Sequence, residues 1–174
     1  MKTLTLLRHA KAGVDDPGIR DVDRALNAKG RRAAQVMGHH LCELDMRFDR
    51  VLASPAVRVV QTLDAFAQSC GGVPDPVLDR RLYLASAETL LDVAREQDAD
   101  SLLMVGHNPG LEDLVLDLVA GGALRDEVAA KYPTASVAQM TFDGNWADLG
   151  SGTATLVRFI RPRDLDPELG PDFG

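Results

Sequence analysis

Short apolar runs alternate along this chain with stretches in which apolar residues recur at helical spacing. Continuous aliphatic and β-branched runs predict short strands, and those at 3–7 and 101–106 are apolar enough to be buried on both faces of a parallel sheet. The two weaker runs are 50–53 and 77–78. Two further runs, 137–142 and 153–160, flank a Gly- and Asn-rich turn region and are predicted to pair as neighbours.

Helices are predicted between the strands, each with a recognisable start. Asn27 is the expected N-cap of a helix over 28–44, whose apolar stripe includes Met37. Ser86 is expected to open a helix that ends near residue 97. The pairs Ser54-Pro55 and Asn108-Pro109 each match an N-cap followed by proline at the first helical position.

Strand and helix therefore alternate, which predicts an α/β protein in three layers, with a mostly parallel central sheet and helices on both faces. We expect a single domain over residues 1–162, because no linker divides it. The Pro- and Asp-rich residues 163–174 are predicted to form a flexible C-terminal tail.

Composition is that of an ordinary globular protein, with 45% hydrophobic and 26% charged residues, and excludes a mainly disordered chain. The net charge of −7 argues against nucleic-acid and membrane partners, which require a basic face. Cys42 and Cys70 are predicted to be separate, small buried or half-buried thiols, without zinc-site spacing. The N-terminal apolar run is too short for a signal sequence, so we expect a cytoplasmic location.

Candidate chemistry follows the predicted strands. Arg8 and His9 follow the first strand, Ser54 and Arg58 follow the second, and His107 follows the strand over 101–106. Ligands of open α/β sheets bind beyond the carboxyl ends of the strands, so these side chains are expected to converge on one edge of the sheet.

These residue types suit a phosphate. Arginine binds phosphoryl oxygens through two parallel hydrogen bonds, and a neutral imidazole is a competent nucleophile near pH 7. Nearby arginines lower the pKa of such a histidine, and a second histidine can donate a hydrogen bond to the phosphoryl group. Two arginines supply the positive charge, so no metal and no cofactor is expected. His39 and His40 lie late in a predicted helix and are expected to be structural.

The three strand ends resemble motifs of the histidine phosphatase, or phosphoglycerate mutase-like, superfamily. The matching segments are LLRHAKAG at 6–13, LASPAVRVVQT at 52–62 and MVGHNPGLEDL at 104–114. Ala10 stands where that family usually has glycine. The chain is more similar still to the SixA-like branch, the phosphohistidine phosphatases, through four segments: RHAKAGVDDPGIRDVDRALNAKGRRAA, RLYLASAETLL, VGHNPGLEDL and KYPTASVAQM.

The resemblance implies a phosphoglycerate mutase-like fold without a large inserted subdomain. It implies that His9 is the nucleophile that becomes phosphorylated. It further implies that Arg8, Arg58 and His107 form the phosphate pocket and that His107 also takes part in catalysis.

One position departs from the mutases and many phosphomonoesterases of the superfamily, which place a catalytic Glu after the third strand. The corresponding stretch here is Leu82-Tyr83-Leu84 and carries no acid. The other candidate acids are Asp15, Asp16, Asp21, Asp23 and Glu88. A missing acid favours a leaving group that needs little protonation, and the imidazole of phosphohistidine is such a group.

The leading hypothesis is a metal-independent phosphatase that acts on phosphohistidine, in a protein such as a phosphotransfer domain or in a small phosphorylated molecule. A phosphotransfer domain would place the chain in signal transduction. The alternative enzyme is a general phosphomonoesterase for small metabolites. A non-catalytic phospho-ligand-binding module is the third reading; the presence of His9 argues against it.

Overall fold

The computed structural model describes residues 1–13, 16–71 and 73–170, and its centre is a six-stranded sheet. The strands are β1 (Lys2–Arg8), β2 (Arg50–Ala53), β3 (Val77–Leu78), β4 (Ser101–Gly106), β5 (Val137–Phe142) and β6 (Thr155–Ile160). Their order in the sheet is β3-β2-β4-β1-β5-β6. The first four strands pair in parallel, whereas β5 is antiparallel to both β1 and β6. The predicted mostly parallel sheet is therefore confirmed, and so is the pairing of its last two strands.

Helices cover both faces of the sheet. They are α1 (Ala28–Glu43), α2 (Val57–Ser69), α3 (Ala87–Arg95), α4 (Gly110–Leu118), α5 (Ala123–Ala130) and α6 (Pro162–Leu165). One buried cluster joins α1 and α2 to one face, and a second cluster joins α3, α4 and α5 to the other. This is the three-layer sandwich that the alternating pattern predicts.

The central strands are apolar along their whole length because both of their faces are buried. In β1, Leu4 and Leu6 pack against α3 and α4, whereas Leu7 lies in the cluster that contains α1 and α2. All three leucines are fully buried. Burying a leucine side chain stabilises a fold by about 1.5–3 kcal/mol, so the sheet is anchored where the candidate residues emerge.

Two helices begin later than their proline motifs predict. Residues 54–56 have no regular structure and α2 begins at Val57, while the Ser54 hydroxyl accepts hydrogen bonds from the Ala56 N–H and from His107. Likewise, α4 begins at Gly110 rather than at Pro109. Asn108 still caps this helix, because its Oδ1 accepts a hydrogen bond from the Glu112 backbone N–H at 3.2 Å.

The prediction of separate cysteine thiols is wrong. Cys42 and Cys70 form a disulfide, with their Cα atoms 5.4 Å apart. Helices α1 and α2 pack side by side and both end at the same edge of the molecule, which brings together two cysteines that are 28 residues apart. Nothing in the spacing of two cysteines reveals such a helix pair.

The predicted flexible tail is wrong for residues 163–170, which fold back onto the sandwich. Helix α6 is followed by a 3₁₀ turn at Pro167–Leu169. Leu169 is buried in a small cluster with Ala33 and Ala135, which explains why the segment packs despite its polar composition. Residues 171–174 of the predicted tail lie outside the described residues. Within the part of the chain that the structure describes, no helix is both long and apolar enough to cross a membrane.

Candidate active site

The carboxyl ends of β2, β4 and β1 are adjacent in the sheet and bring the predicted site residues together. The rings of His9 and His107 have their centroids 5.3 Å apart. Arg58 Nη2 lies 3.3 Å from His107 Nδ1, and the charges of Arg8 and Arg58 both act on His9. The four residues that the sequence singled out therefore form one cluster.

His9 has its proton on Nδ1. That nitrogen lies 2.7 Å from the carbonyl oxygen of Ala10, which can only accept, so Nδ1 carries the hydrogen and Nε2 carries the lone pair. Burial lowers the pKa of His9 to about 3, and the charges of Arg8 and Arg58 act in the same direction, against the opposing effect of the Ala10 hydrogen bond. At neutral pH His9 is therefore a neutral imidazole with a free nitrogen.

His107 has the opposite tautomer. Its Nδ1 faces the Arg58 guanidinium, which only donates, so Nδ1 accepts and the hydrogen is on Nε2. Nε2 lies 2.8 Å from the Oγ of Ser54 and donates to it. Burial, followed by the charge of Arg58, lowers the pKa of His107 to about 4. The result is a neutral ring that presents an N–H.

Hydrogen bonds hold both the guanidinium group and the backbone of Arg58, whose side chain is buried. Its Nη1 donates to the carbonyl oxygen of Asp21 at 2.7 Å, and its Nη2 donates to Asp21 Oδ2 at 3.0 Å. The backbone around it is held by Thr62, whose hydroxyl donates to the Arg58 carbonyl at 2.6 Å and accepts from the Ala10 N–H at 2.9 Å. Arg58 and Thr62 therefore join the first turns of α2 to the loop that carries His9.

Arg8 is anchored by Tyr132, which lies outside the three strand-end motifs. Its Nη1 donates to the carbonyl oxygen of Tyr132 at 2.9 Å, and Asn108 Nδ2 donates to the same oxygen at 3.0 Å. Tyr132 is itself buried, and its hydroxyl donates to the carbonyl oxygen of Leu6 in β1 at 2.6 Å. A lone tyrosine in a loop gives no sequence signal for this role.

Tyr83 lies in the stretch after the third strand that carries no acidic residue. Its hydroxyl donates to Asp21 Oδ2, and its ring stands edge-on to His107 with 5.4 Å between ring centroids. The hydrogen bond from Tyr83, followed by Arg58, lowers the pKa of Asp21 to about 2, and burial raises the pKa of Tyr83. Asp21 is thus an anchored carboxylate at neutral pH.

The structure places the other candidate acids differently. Asp23 pairs with Arg20 at 2.7 Å on the exposed side of the loop, and Glu88 is exposed in the first turn of α3. Asp16 is exposed as well, and it accepts a hydrogen bond from the Gly18 N–H. Asp15 lies outside the described residues.

Among residues 1–13, 16–71 and 73–170, the structure shows no group of three or more His, Cys, Asp or Glu side chains that could hold a metal ion.

Comparisons with known proteins agree with this geometry. Residues 4–83 match the model of the histidine phosphatase superfamily, branch 1. The candidate phosphohistidine phosphatase SixA of Agrobacterium tumefaciens has a similar structure, with a TM-score of 0.80 at 30% identity over 92% of this chain and 98% of its own. The chain belongs to the histidine phosphatase superfamily, in its SixA-like branch.

Two relatives extend this SixA-like assignment. An uncharacterised protein of Mycobacterium tuberculosis is 35% identical over 90% of this chain and all of its own length. The phosphohistidine phosphatase SixA of Escherichia coli is 26% identical over 85% of this chain and 88% of its own. Membership in this superfamily supports a phosphatase activity for the chain.

Proposed function

We propose that this SixA-like chain removes the phosphoryl group of phosphohistidine, through a covalent phosphohistidine intermediate on His9. The observation that carries the proposal is the state of Asp21. This carboxylate is bound by Arg58 and Tyr83, and its pKa of about 2 leaves it without a proton to donate at neutral pH. The site therefore favours a leaving group that departs without an acid.

In the first step, the lone pair of His9 Nε2 attacks the phosphorus atom. The new P–N bond forms as the P–N bond of the substrate breaks, and the electron pair of that bond goes to the departing imidazole. When the other ring nitrogen of this imidazole is already protonated, the ring leaves as a neutral molecule. Arg8 and Arg58 bind the phosphoryl oxygens, and the N–H on His107 Nε2 exchanges its bond to Ser54 Oγ for a bond to the group in transit.

In the second step, water attacks the phosphorus of phosphorylated His9, which releases inorganic phosphate and restores the neutral ring. The same two guanidinium groups supply the positive charge in both steps, so we propose that the reaction needs no metal. Asp21 acts on the reaction by holding Arg58 in place.

The test compares rates on phosphoramidate, a phosphohistidine protein, aryl phosphates and alkyl phosphates. We expect the two P–N substrates to be fastest and alkyl phosphates slowest. The rate on aryl phosphates should fall steeply as the pKa of the leaving phenol rises. The His9→Ala variant should lose several orders of magnitude in turnover, since it lacks the nucleophile. Addition of EDTA should leave the rates unchanged.

Three results would count against the proposal. Equal turnover of alkyl phosphates and phosphoramidate would reveal a working acid and favour the general phosphomonoesterase. A His9→Ala variant that retains more than about one hundredth of the activity would exclude His9 as the nucleophile. Loss of activity in EDTA with recovery on adding a divalent metal would exclude a metal-independent pocket.

A further inference from the structure

Two adjoining depressions form one groove along the edge of the sheet from which His9 projects. They share Thr134, Pro162 and Leu169. Among the described residues, the charged side chains that line them are all cationic: Lys11, Lys29, Lys131, Arg161 and Arg163. We call this feature the basic groove. It is conspicuous because the chain carries a net charge of −7.

The groove adjoins the proposed nucleophile on two sides. Lys11 is two residues beyond His9, and the Ala135 N–H, next to Thr134, donates to the His9 carbonyl oxygen at 3.1 Å. Because β6 runs parallel to β1, Arg161 emerges at the same edge as Arg8. The basic groove therefore lies beside the point at which a protein would present a phosphoryl group to His9.

Close packing brings Lys29 to the groove. It stands in the first turn of α1, next to Gly30. A Cβ at position 30 would come within 2.2 Å of the Lys11 carbonyl oxygen, so only glycine lets α1 begin this close to the loop after His9.

The cations of the groove differ in how far they are already neutralised. Arg161 is paired with Asp164 through Nη2 at 3.0 Å. Lys29 and Arg163 are exposed, and neither forms an ion pair with a residue that the structure describes. These two side chains supply the positive charge that is available to a ligand of the groove.

We propose that the basic groove docks an acidic surface of a phosphoprotein substrate, beside the histidine that carries the phosphoryl group. This inference rests on the proposed function and adds the class of substrate, an acidic protein rather than a small metabolite. The groove contains neither Arg8 nor Arg58, so a small phosphoramidate bound between those two arginines is expected to leave Lys29 and Arg163 uncontacted. Carboxylates of a protein reach both, and their attraction mainly increases the rate of association.

The test uses three variants that each change the charge by two units: Lys29→Glu, Arg163→Glu and the control Arg47→Glu. Arg47 is exposed and precedes β2, at the opposite edge of the sheet. On a histidine phosphotransfer domain phosphorylated on its histidine, kcat/KM should fall about threefold to tenfold in each groove variant and stay unchanged in the control. With phosphoramidate as substrate, kcat/KM of all three variants should equal that of the unmodified chain. The effect on the phosphorylated domain should shrink as salt is raised.

A binding measurement decides the proposal independently of turnover. Labelled poly-L-glutamate should bind the unmodified chain and Arg47→Glu equally, and should bind both groove variants more weakly. Equal binding to all four proteins would overturn the docking site, whatever the substrate of the enzyme. Tighter binding of an RNA oligonucleotide of the same charge would overturn the acidic-protein assignment. If the phosphorylated domain and phosphoramidate are both left intact while poly-L-glutamate still depends on Lys29 and Arg163, the proposed function fails and the groove stands.

Discussion

At the scale of single residues, hydrogen-bond partners decide what each ionisable group of the site can do. The Ala10 carbonyl places the proton of His9 on Nδ1, and the Arg58 guanidinium places that of His107 on Nε2. Asp21, which the sequence made a candidate acid, becomes an anion whose Oδ2 accepts one hydrogen bond from Arg58 and one from Tyr83. Without these hydrogen bonds, the same carboxyl group would have a higher pKa.

The role of Asp21 is tested by Asp21→Asn, which keeps the shape of the side chain and removes its charge. We expect kcat to fall about ten- to a hundredfold, because a charge-assisted bond to a buried arginine contributes roughly 1.5–3 kcal/mol. The fall should be equal for phosphoramidate and for aryl phosphates of different leaving-group pKa. Asp23→Asn is the matched control, because within the described part of the chain Asp23 pairs only with the exposed Arg20. A larger loss on the poorer leaving groups would instead make Asp21 a proton donor.

At the scale of elements, sequence pattern predicts those parts whose stability comes from their own apolar stripe. The strands over 50–53, 101–106 and 137–142 were predicted at their observed bounds, as was the N-cap Asn27, which accepts from the Gly30 N–H. Helix α5 was missed because Val128 is its one buried residue, so no stripe marks it.

The residues of the site also divide into those that the sequence predicts and those that it does not. Arg8, His9, Arg58 and His107 could be found because each follows a strand and matches a motif. The partners Tyr83 and Tyr132 could not, because their roles depend on contacts with residues 62 and 126 positions away.

Helix α4 offers a test at this scale, because it begins directly behind His107. A Cβ at Gly110 would lie 2.0 Å from the Ala85 carbonyl oxygen, so Gly110→Ala has to push α4 away from the segment that carries Tyr83. We expect a loss of about 1–3 kcal/mol in the free energy of unfolding, measured by urea denaturation, together with reduced kcat. Gly121→Ala is the control, because nothing lies within 4 Å of its added methyl group. Equal stability of the two variants would show that α4 and the loop separate at little cost.

At the scale of the whole molecule, the low pKa values of His9 and His107 make stability depend on pH. Their folded pKa values, about 3 for His9 and about 4 for His107, lie below the value of 6.5 expected in the unfolded chain. Below about pH 6.5 the two histidines bind protons in the unfolded chain but not in the folded chain. The free energy of unfolding is therefore highest above that pH and falls as the solution becomes more acidic. At about pH 5.5 each histidine should account for a loss of about 1 kcal/mol.

Urea midpoints of the unmodified chain and of His9→Ala, measured between about pH 7.5 and 5.5, check this expectation. The variant should lose less stability over the interval, because one of the two histidines is gone. Identical slopes in the two proteins would show that His9 is protonated as easily in the folded chain as in the unfolded one.

The strand order has a consequence for how the protein becomes active as it is synthesised. Strand β1 is synthesised before its sheet neighbours β4 and β5, in which Val105 and Val137 lie opposite Leu7. The anchor of Arg8, the Tyr132 carbonyl, also comes late in the chain. A nascent chain that has exposed only its first half therefore holds His9 in a motif without a pocket. The pocket is complete only after the last third of the sequence has folded back beside the first strand.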